Sequence, residues 1–85
     1  MAYVVRFRPA AERMYDKLPE NVRENLKPEI DALEQNPRPY GCKKLVGMED
    51  LYRIRVGKYR IIYMIDEKEN NIVFLDVGLR KSIYD

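Results

Sequence analysis

The chain contains no histidine, a single cysteine and no long apolar run, and each shortage excludes a class of structure or chemistry. Without histidine, catalysis by a histidine–histidine or histidine–glutamate pair is excluded. Cys42 alone cannot form an internal disulfide, which favours a cytoplasmic protein. The apolar run at the N-terminus is too short for a signal peptide, and no stretch approaches a membrane span. We therefore expect a cytoplasmic protein with no membrane association.

A strong excess of one charge is also absent, because 16 basic residues are offset by 14 acidic ones to give a net charge of +2. This balance does not by itself predict a nucleic-acid partner, so the case depends on where the charges lie. A chain of 85 residues is large enough for one modest hydrophobic core. No repeat, linker or low-complexity segment divides it, and we predict a single domain over residues 1–85.

The most informative stretch is 51–60, in which apolar and basic residues alternate up to Gly57-Lys58 and then reverse. A two-residue loop with glycine first suits the mirror-image turns that join antiparallel strands. A hairpin at this turn pairs three residues before it with three after it: Val56 with Tyr59, Arg55 with Arg60, and Ile54 with Ile61.

Three arginines then emerge on one side of the hairpin, because successive side chains of a strand point to opposite faces. They are Arg53, Arg55 and Arg60. Like charges side by side destabilise a sheet, so this cluster predicts an anionic ligand such as a phosphate diester. The alternative is a solvated strand face whose arginines pair with Asp76 and nearby glutamates.

The rest of the pattern predicts an α+β fold: an N-terminal strand, a two-helix hairpin and a three-stranded antiparallel meander, with the helices on one face of the sheet. Three prolines bear on the helices. Pro9 suits the first turn of a helix, Pro19 separates the two helices, and Pro28 predicts a kink in the second helix. The predicted elements are a strand over 2–7, a helix from Pro9, a helix with the apolar stripe Val22, Leu26, Ile30 and Leu33, a loop or short strand over 42–45, and strands over 51–56, 59–66 and 72–77.

Polarity predicts the register of the last hairpin. Alternation places one apolar set toward the core: Tyr59, Ile61, Tyr63, Ile65, Val73, Leu75 and Val77. Asp76, Gly78 and Arg80 then share the face of the three arginines. We expect that face to be open and the apolar face to be covered by both helices.

Arg80 and Tyr84 extend this constellation at the end of the chain. Cleaving RNA without a metal requires a base for the ribose 2′-hydroxyl, charge stabilisation at phosphorus, and help for the departing 5′-oxygen. Guanidinium groups match phosphate oxygens bidentately. Arginines around a tyrosine lower its pKa, which makes the phenolate of Tyr84 a candidate base.

The chain resembles toxins of the RelE/ParE superfamily of toxin–antitoxin modules, and most closely the RelE branch. The similarity covers nearly the whole chain and is carried by an ordered set of segments: the opening Met-Ala-Tyr strand, the helical hairpin, Lys44-Leu45-Val46-Gly47-Met48, Leu51-Tyr52-Arg53-Ile54-Arg55, Tyr59-Arg60-Ile61-Ile62-Tyr63, and Val77-Gly78-Leu79-Arg80 through Tyr84.

The resemblance implies an endoribonuclease that enters the ribosomal A site and cleaves mRNA, with the mRNA's own 2′-hydroxyl as nucleophile and with no metal or other cofactor. By position it implies that Arg53 and Arg55 neutralise charge, Arg60 grips the scissile phosphate, Arg80 assists the leaving group, and Tyr84 acts as base or stacks on a nucleobase. Lys43, Lys44 and Lys81 are predicted to contact RNA or the ribosome.

The resemblance also implies a cognate RelB-like antitoxin, and a toxin–antitoxin complex that binds operator DNA through that antitoxin. The chain departs from the common RelE pattern in having arginine where lysine is usual at 53 and 55, and Leu79 where many relatives have histidine.

Two alternatives stay open: a ParE-like inhibitor that binds DNA gyrase, and a catalytically silent co-repressor. Asp66, Glu67 and Glu69 form a charged turn, and we predict no metal site there.

Overall fold

The structure of the chain is a computed structural model that describes residues 2–47 and 49–79. These residues form two helices and five strands, in the order β1 (Val4–Phe7), α1 (Pro9–Asp16), α2 (Glu20–Ala32), β2 (Lys43–Lys44), β3 (Leu51–Val56), β4 (Tyr59–Asp66) and β5 (Asn71–Leu79). The predicted α+β class, with its opening strand, helical hairpin and antiparallel meander, is confirmed.

The strands form one mixed sheet in the order β1-β5-β4-β3-β2. β3, β4 and β5 pair as the predicted antiparallel meander, and β2 adds antiparallel to β3. β1 pairs in parallel with β5, the last strand of the described chain, which the sequence did not reveal. This parallel pairing requires a long crossover, and the intervening helices and strands supply it. β4 consequently lies at the centre of the sheet.

Both helices pack on one face of the sheet, as predicted. Among residues 2–47 and 49–79, eleven buried residues form the shared core: Ala11, Leu26, Ile30, Leu33, Ile54, Ile61, Tyr63, Ile65, Ile72, Phe74 and Val77. α1 begins with Pro9 in its first turn, where the missing N–H costs no hydrogen bond. α2 continues through Pro28 to Ala32. Neither helix in the described ranges is long and apolar enough to cross a membrane.

A β-bulge in β5 makes part of the predicted register wrong. Ile62 pairs with Asp76 but the next residue, Tyr63, pairs with Phe74, so Leu75 is an extra residue on the β5 side. The inserted residue reverses the alternation on its N-terminal side. Ile72 and Phe74 therefore enter the core in place of the predicted Val73 and Leu75, whereas Val77 faces the core as predicted.

Side-chain contacts hold the segment between α2 and β2 against the core. The Tyr63 hydroxyl donates to the carbonyl oxygen of Pro37 at 2.7 Å. The Arg38 guanidinium lies over the Tyr52 ring, 5.1 Å from its centroid, donates to the Tyr52 hydroxyl at 3.1 Å, and pairs with Glu67. Burial raises the pKa of Tyr63 above its ordinary value, so this phenol stays protonated and able to donate.

Candidate functional site

The hairpin of β3 and β4 has the register that the sequence predicted. Val56 pairs with Tyr59, Arg55 with Arg60, and Ile54 with Ile61. Gly57 opens the turn with a φ of +61°, a conformation that glycine adopts without the steric penalty of a Cβ. The turn and the alternation together determine which side chains share a face.

Arg53, Arg55 and Arg60 lie on the face of the sheet opposite the main core, hereafter the arginine face. Two rows of directly paired residues cross this face. One row holds Lys43, Arg53, Ile62 and Asp76, and the other holds Arg55, Arg60 and Gly78. The structure therefore brings together the three predicted arginines that fall within its described part.

The arginine face is not open, contrary to the prediction from the sequence. Arg53 is 7% exposed and Arg60 only 4%, whereas Arg55 is exposed. Each of the three takes part in an interaction, so none is an isolated cation. Alternation in the sequence shows which face a side chain occupies, but it does not show whether that face is covered.

Asp76 is the counterion of Arg60. The Arg60 Nη2 donates to the Asp76 Oδ2 at 2.9 Å, with the two side chains 5% and 22% exposed. Gly78, the residue paired with Arg60, presents no side chain, and a Cβ placed there would lie 3.8 Å from the Arg60 Nη1. A buried guanidinium is tolerated only with such a partner, because desolvating an unpaired charge is costly.

An apolar cleft adjoins this ion pair on the arginine face. Its lining includes Ile62, Leu51 and Leu75, with Arg8, Met14 and Asp76 completing it. Ile62 is 1% exposed although it lies on the opposite face from the main core.

Two further arginines, Arg8 in the lining of this cleft and Arg6 on the arginine face, were not selected from the sequence. Arg6 alternates with Val5 and Phe7, which pack toward the core. The alternation of β1 was therefore a signal that placed Arg6 on the arginine face. Arg8 follows the end of β1 and lines the cleft, and the sequence pattern contained no comparable signal for it.

The two predicted lysines of β2 are separated by the register. Lys43 pairs with Arg53, and Lys44 pairs with Tyr52, whose ring stacks on the core residue Tyr63 with centroids 6.0 Å apart. Directly paired residues share a face, so Lys43 belongs to the arginine face and Lys44 to the other. Arg80, Lys81 and Tyr84 lie outside the described residues.

No group of three or more histidine, cysteine, aspartate or glutamate residues able to hold a metal occurs among residues 2–47 and 49–79. The chemistry available on the arginine face in this part of the chain is that of guanidinium groups, one carboxylate and a lysine. Such a set binds and neutralises an anion, and phosphate oxygens fit the guanidinium fork.

Comparisons with known proteins identify similar folds and sequences. A family model described as the ParE toxin of the type II toxin–antitoxin system parDE matches residues 5–84. The mRNA interferase toxin RelE of Escherichia coli K12 is 32% identical over 83 residues, which are 95% of this chain and 86% of the relative. The crystal structure of isolated E. coli RelE toxin gives a TM-score of 0.85 at 30% identity, over 95% of this chain and 87% of that one. The archaeal RelE–RelB complex from Pyrococcus horikoshii OT3 gives 0.82 at 31% identity, over 95% and 98%.

Proposed function

The chain belongs to the RelE branch of the RelE/ParE superfamily of toxins from type II toxin–antitoxin systems, and from this we propose that it is an endoribonuclease that cleaves mRNA in the ribosomal A site. The observation that carries the proposal is the convergence of Arg53, Arg55 and Arg60 on one face of the sheet. Similarity to a RelE named as an mRNA interferase supports mRNA as the anion proposed for this face. Cleavage of mRNA during translation stops protein synthesis.

The proposed reaction uses no metal, and the bond that forms and the bond that breaks both lie within the RNA. The ribose 2′-oxygen attacks the adjacent phosphorus, a P–O2′ bond forms and the P–O5′ bond breaks, which leaves a 2′,3′-cyclic phosphate and a free 5′-hydroxyl. Tyr84 takes the 2′-hydroxyl proton, or stacks on a nucleobase while water takes that proton. Arg80 assists the departing 5′-oxygen, which gains a proton from water to become the 5′-hydroxyl. Arg60 grips the scissile phosphate while Arg53 and Arg55 neutralise the developing charge.

The burial of two arginines sets an order for these contacts. Arg55 is exposed, so a phosphate in solvent can approach it. Arg53 and Arg60 are buried, so a phosphate reaches them only when the arginine face becomes more accessible. We expect Arg55 to make the first contact, and the ribosome to supply much of the orientation that so small a protein cannot impose on RNA.

Three further assignments belong to the proposal. The partner is a cognate RelB-like antitoxin, as in the RelE–RelB complexes that share this fold, and the complex binds operator DNA through the antitoxin. Lys43, Lys44 and Lys81 contact RNA or the ribosome. Residues 1–85 act as one toxin domain in the cytoplasm, where its ribosomal target lies.

Purified ribosomes carrying a defined mRNA test the proposal. The chain is added with either an all-ribose A-site codon or the same codon bearing one 2′-deoxynucleotide at the cleavage site. We expect cleavage of the first RNA only, with a 2′,3′-cyclic phosphate and a 5′-hydroxyl at the cut. Equal cleavage of both RNAs contradicts the mechanism, and no cleavage of either contradicts the activity.

The second candidate is inhibition of DNA gyrase by binding, which the match to a family model described as a ParE toxin favours. A supercoiling assay with purified gyrase separates the two functions. Inhibition by the wild type that persists in the Arg80→Ala, Tyr84→Phe variant supports the gyrase target. A chain that inhibits neither gyrase nor translation is the catalytically silent co-repressor.

A further inference from the structure

We propose that Asp76 is a positioning residue for Arg60, which fixes the guanidinium in the orientation that receives the scissile phosphate. The inference deepens the proposed ribonuclease function and rests on it. Asp76 does not contact the RNA in this account. It acts through the hydrogen bond and ion pair that it accepts from Arg60.

The register of β4 and β5 makes this contact specific. Arg60 is paired with Gly78, and Asp76 is paired with Ile62, so the ion pair runs diagonally across two neighbouring strands. Asp76 and Gly78 share the arginine face because residues 76–79 of β5, beyond the bulge, pair with β4 in regular alternation. Asp76 is therefore held by the sheet rather than by a flexible loop.

Gly78 lies beside the same guanidinium. The Arg60 Nη1 lies 3.8 Å from the place of a Cβ on Gly78, and Nη2 lies 2.9 Å from the Asp76 carboxylate. One end of the guanidinium thus lies near Gly78, while the other is held by the Asp76 carboxylate. A long, flexible arginine side chain loses much rotamer freedom in this setting before any RNA arrives.

Pre-orientation matters for catalysis because a guanidinium binds phosphate through a planar fork with defined directions. A fork that is already fixed costs less entropy when the transition state forms, and a misplacement of about 1 Å lowers a rate on the order of 100-fold. The opposite role for Asp76 is also physically coherent. As an anion beside Arg60 it would then compete with the phosphate and restrain activity.

The test compares Asp76→Asn and Asp76→Ala with the wild type on programmed ribosomes. Glu67→Gln is the matched control, because it removes a carboxylate from another arginine ion pair, that of Arg38, outside the arginine face. Cleavage rate at saturating toxin, half-saturating concentration and melting temperature are measured for each protein. Asp76→Asn keeps the size of the side chain and an oxygen able to accept from Arg60, so it separates charge from shape.

If Asp76 positions Arg60, the cleavage rate at saturating toxin should fall about 10- to 100-fold in Asp76→Ala and less in Asp76→Asn. The half-saturating concentration should stay constant or fall, because a negative charge leaves the face that binds RNA. Glu67→Gln should cleave like the wild type. In an Arg60→Gln background, Asp76→Asn should produce no further loss, since a positioning residue acts only through its target.

Three results overturn the inference. A faster rate in Asp76→Asn assigns the competing role instead. A wild-type rate in folded Asp76→Ala shows that the ion pair serves stability alone. A full additional loss from Asp76→Asn in the Arg60→Gln background shows that Asp76 does not act through Arg60. If the wild type itself cleaves nothing, the proposed function fails as well, and that outcome is distinct from the other three.

Discussion

Lys43 lies directly opposite Arg53 across the β2–β3 pair, whereas the next residue, Lys44, lies opposite Tyr52 on the other face of the sheet. Two neighbouring lysines of equal charge therefore differ in the face that they occupy. Lys43 extends the row of basic groups on the arginine face toward the edge of the sheet. The pair provides a natural comparison between a charge on the proposed site and a charge beside it.

We predict that Lys43→Gln weakens binding to programmed ribosomes more than Lys44→Gln does. The plot of log binding constant against log salt should become shallower by about 0.7 in Lys43→Gln, the change expected when one phosphate contact is lost. Titrations at several salt concentrations measure this slope. A slope in Lys43→Gln equal to that of the wild type would remove Lys43 from the RNA-contacting surface.

Arg55 should be required for cleavage without being required for folding. It is exposed, so Arg55→Gln should change the free energy of unfolding by less than about 0.5 kcal/mol while lowering the rate of RNA cleavage. Lys58→Gln is the control, because Lys58 is an exposed basic residue in the turn of the same hairpin. A denaturant titration and a cleavage assay suffice. Unchanged cleavage in folded Arg55→Gln would contradict the role given to Arg55.

Gly57 should be sensitive to substitution for a backbone reason alone. Its φ is +61°, and no atom of the described residues beyond its chain neighbours lies within 4 Å of the place that a Cβ would take, so Gly57→Ala creates strain without a clash. We expect a loss of about 1 kcal/mol in the free energy of unfolding, and a smaller loss for Gly57→Asn, because asparagine tolerates this region better. Denaturant titration measures both. Equal losses in Gly57→Ala and Gly57→Asn would contradict an effect of the positive φ at residue 57.

The hydrogen bond from Tyr63 to Pro37 predicts a fall in stability at alkaline pH. Burial raises the pKa of the folded tyrosine, while in the unfolded chain it is about 10. The stabilisation is therefore fully present below about pH 10 and is lost as pH rises toward the higher folded pKa. Denaturant titrations from about pH 8 to about pH 12 should show a decline that is shallower in Tyr63→Phe. Parallel curves would refute the assignment.

The β3–β4 hairpin was predictable in detail because two local signals agree. A glycine-first turn fixes the register, and strict alternation then fixes which residues share each face. The same logic failed in β5, where the bulge at Leu75 breaks the alternation without any glycine or proline to mark it. The choice between Leu75 and Phe74 for the core depends on how residues distant in the chain pack, which alternation does not encode.

The place of β1 and the burial of Arg53 and Arg60 were unpredictable for a similar reason. Parallel pairing of β1 with β5 joins opposite ends of the described chain, and no local pattern specifies such a contact. Whether an arginine is exposed depends on what covers its face. The sequence nevertheless contained the carboxylate that pairs with Arg60, since alternation placed Asp76 on the arginine face.

If the chain cuts mRNA during translation, new RNA 5′ ends should appear across the transcriptome within minutes of its induction, and mapping these ends is the decisive experiment. The wild type is compared with the Arg80→Ala, Tyr84→Phe variant, and expression of both is verified. We expect new ends within translated regions, in phase with the reading frame, and none in the variant. Growth arrest by the wild type without new ends would contradict cleavage of mRNA and direct attention to gyrase.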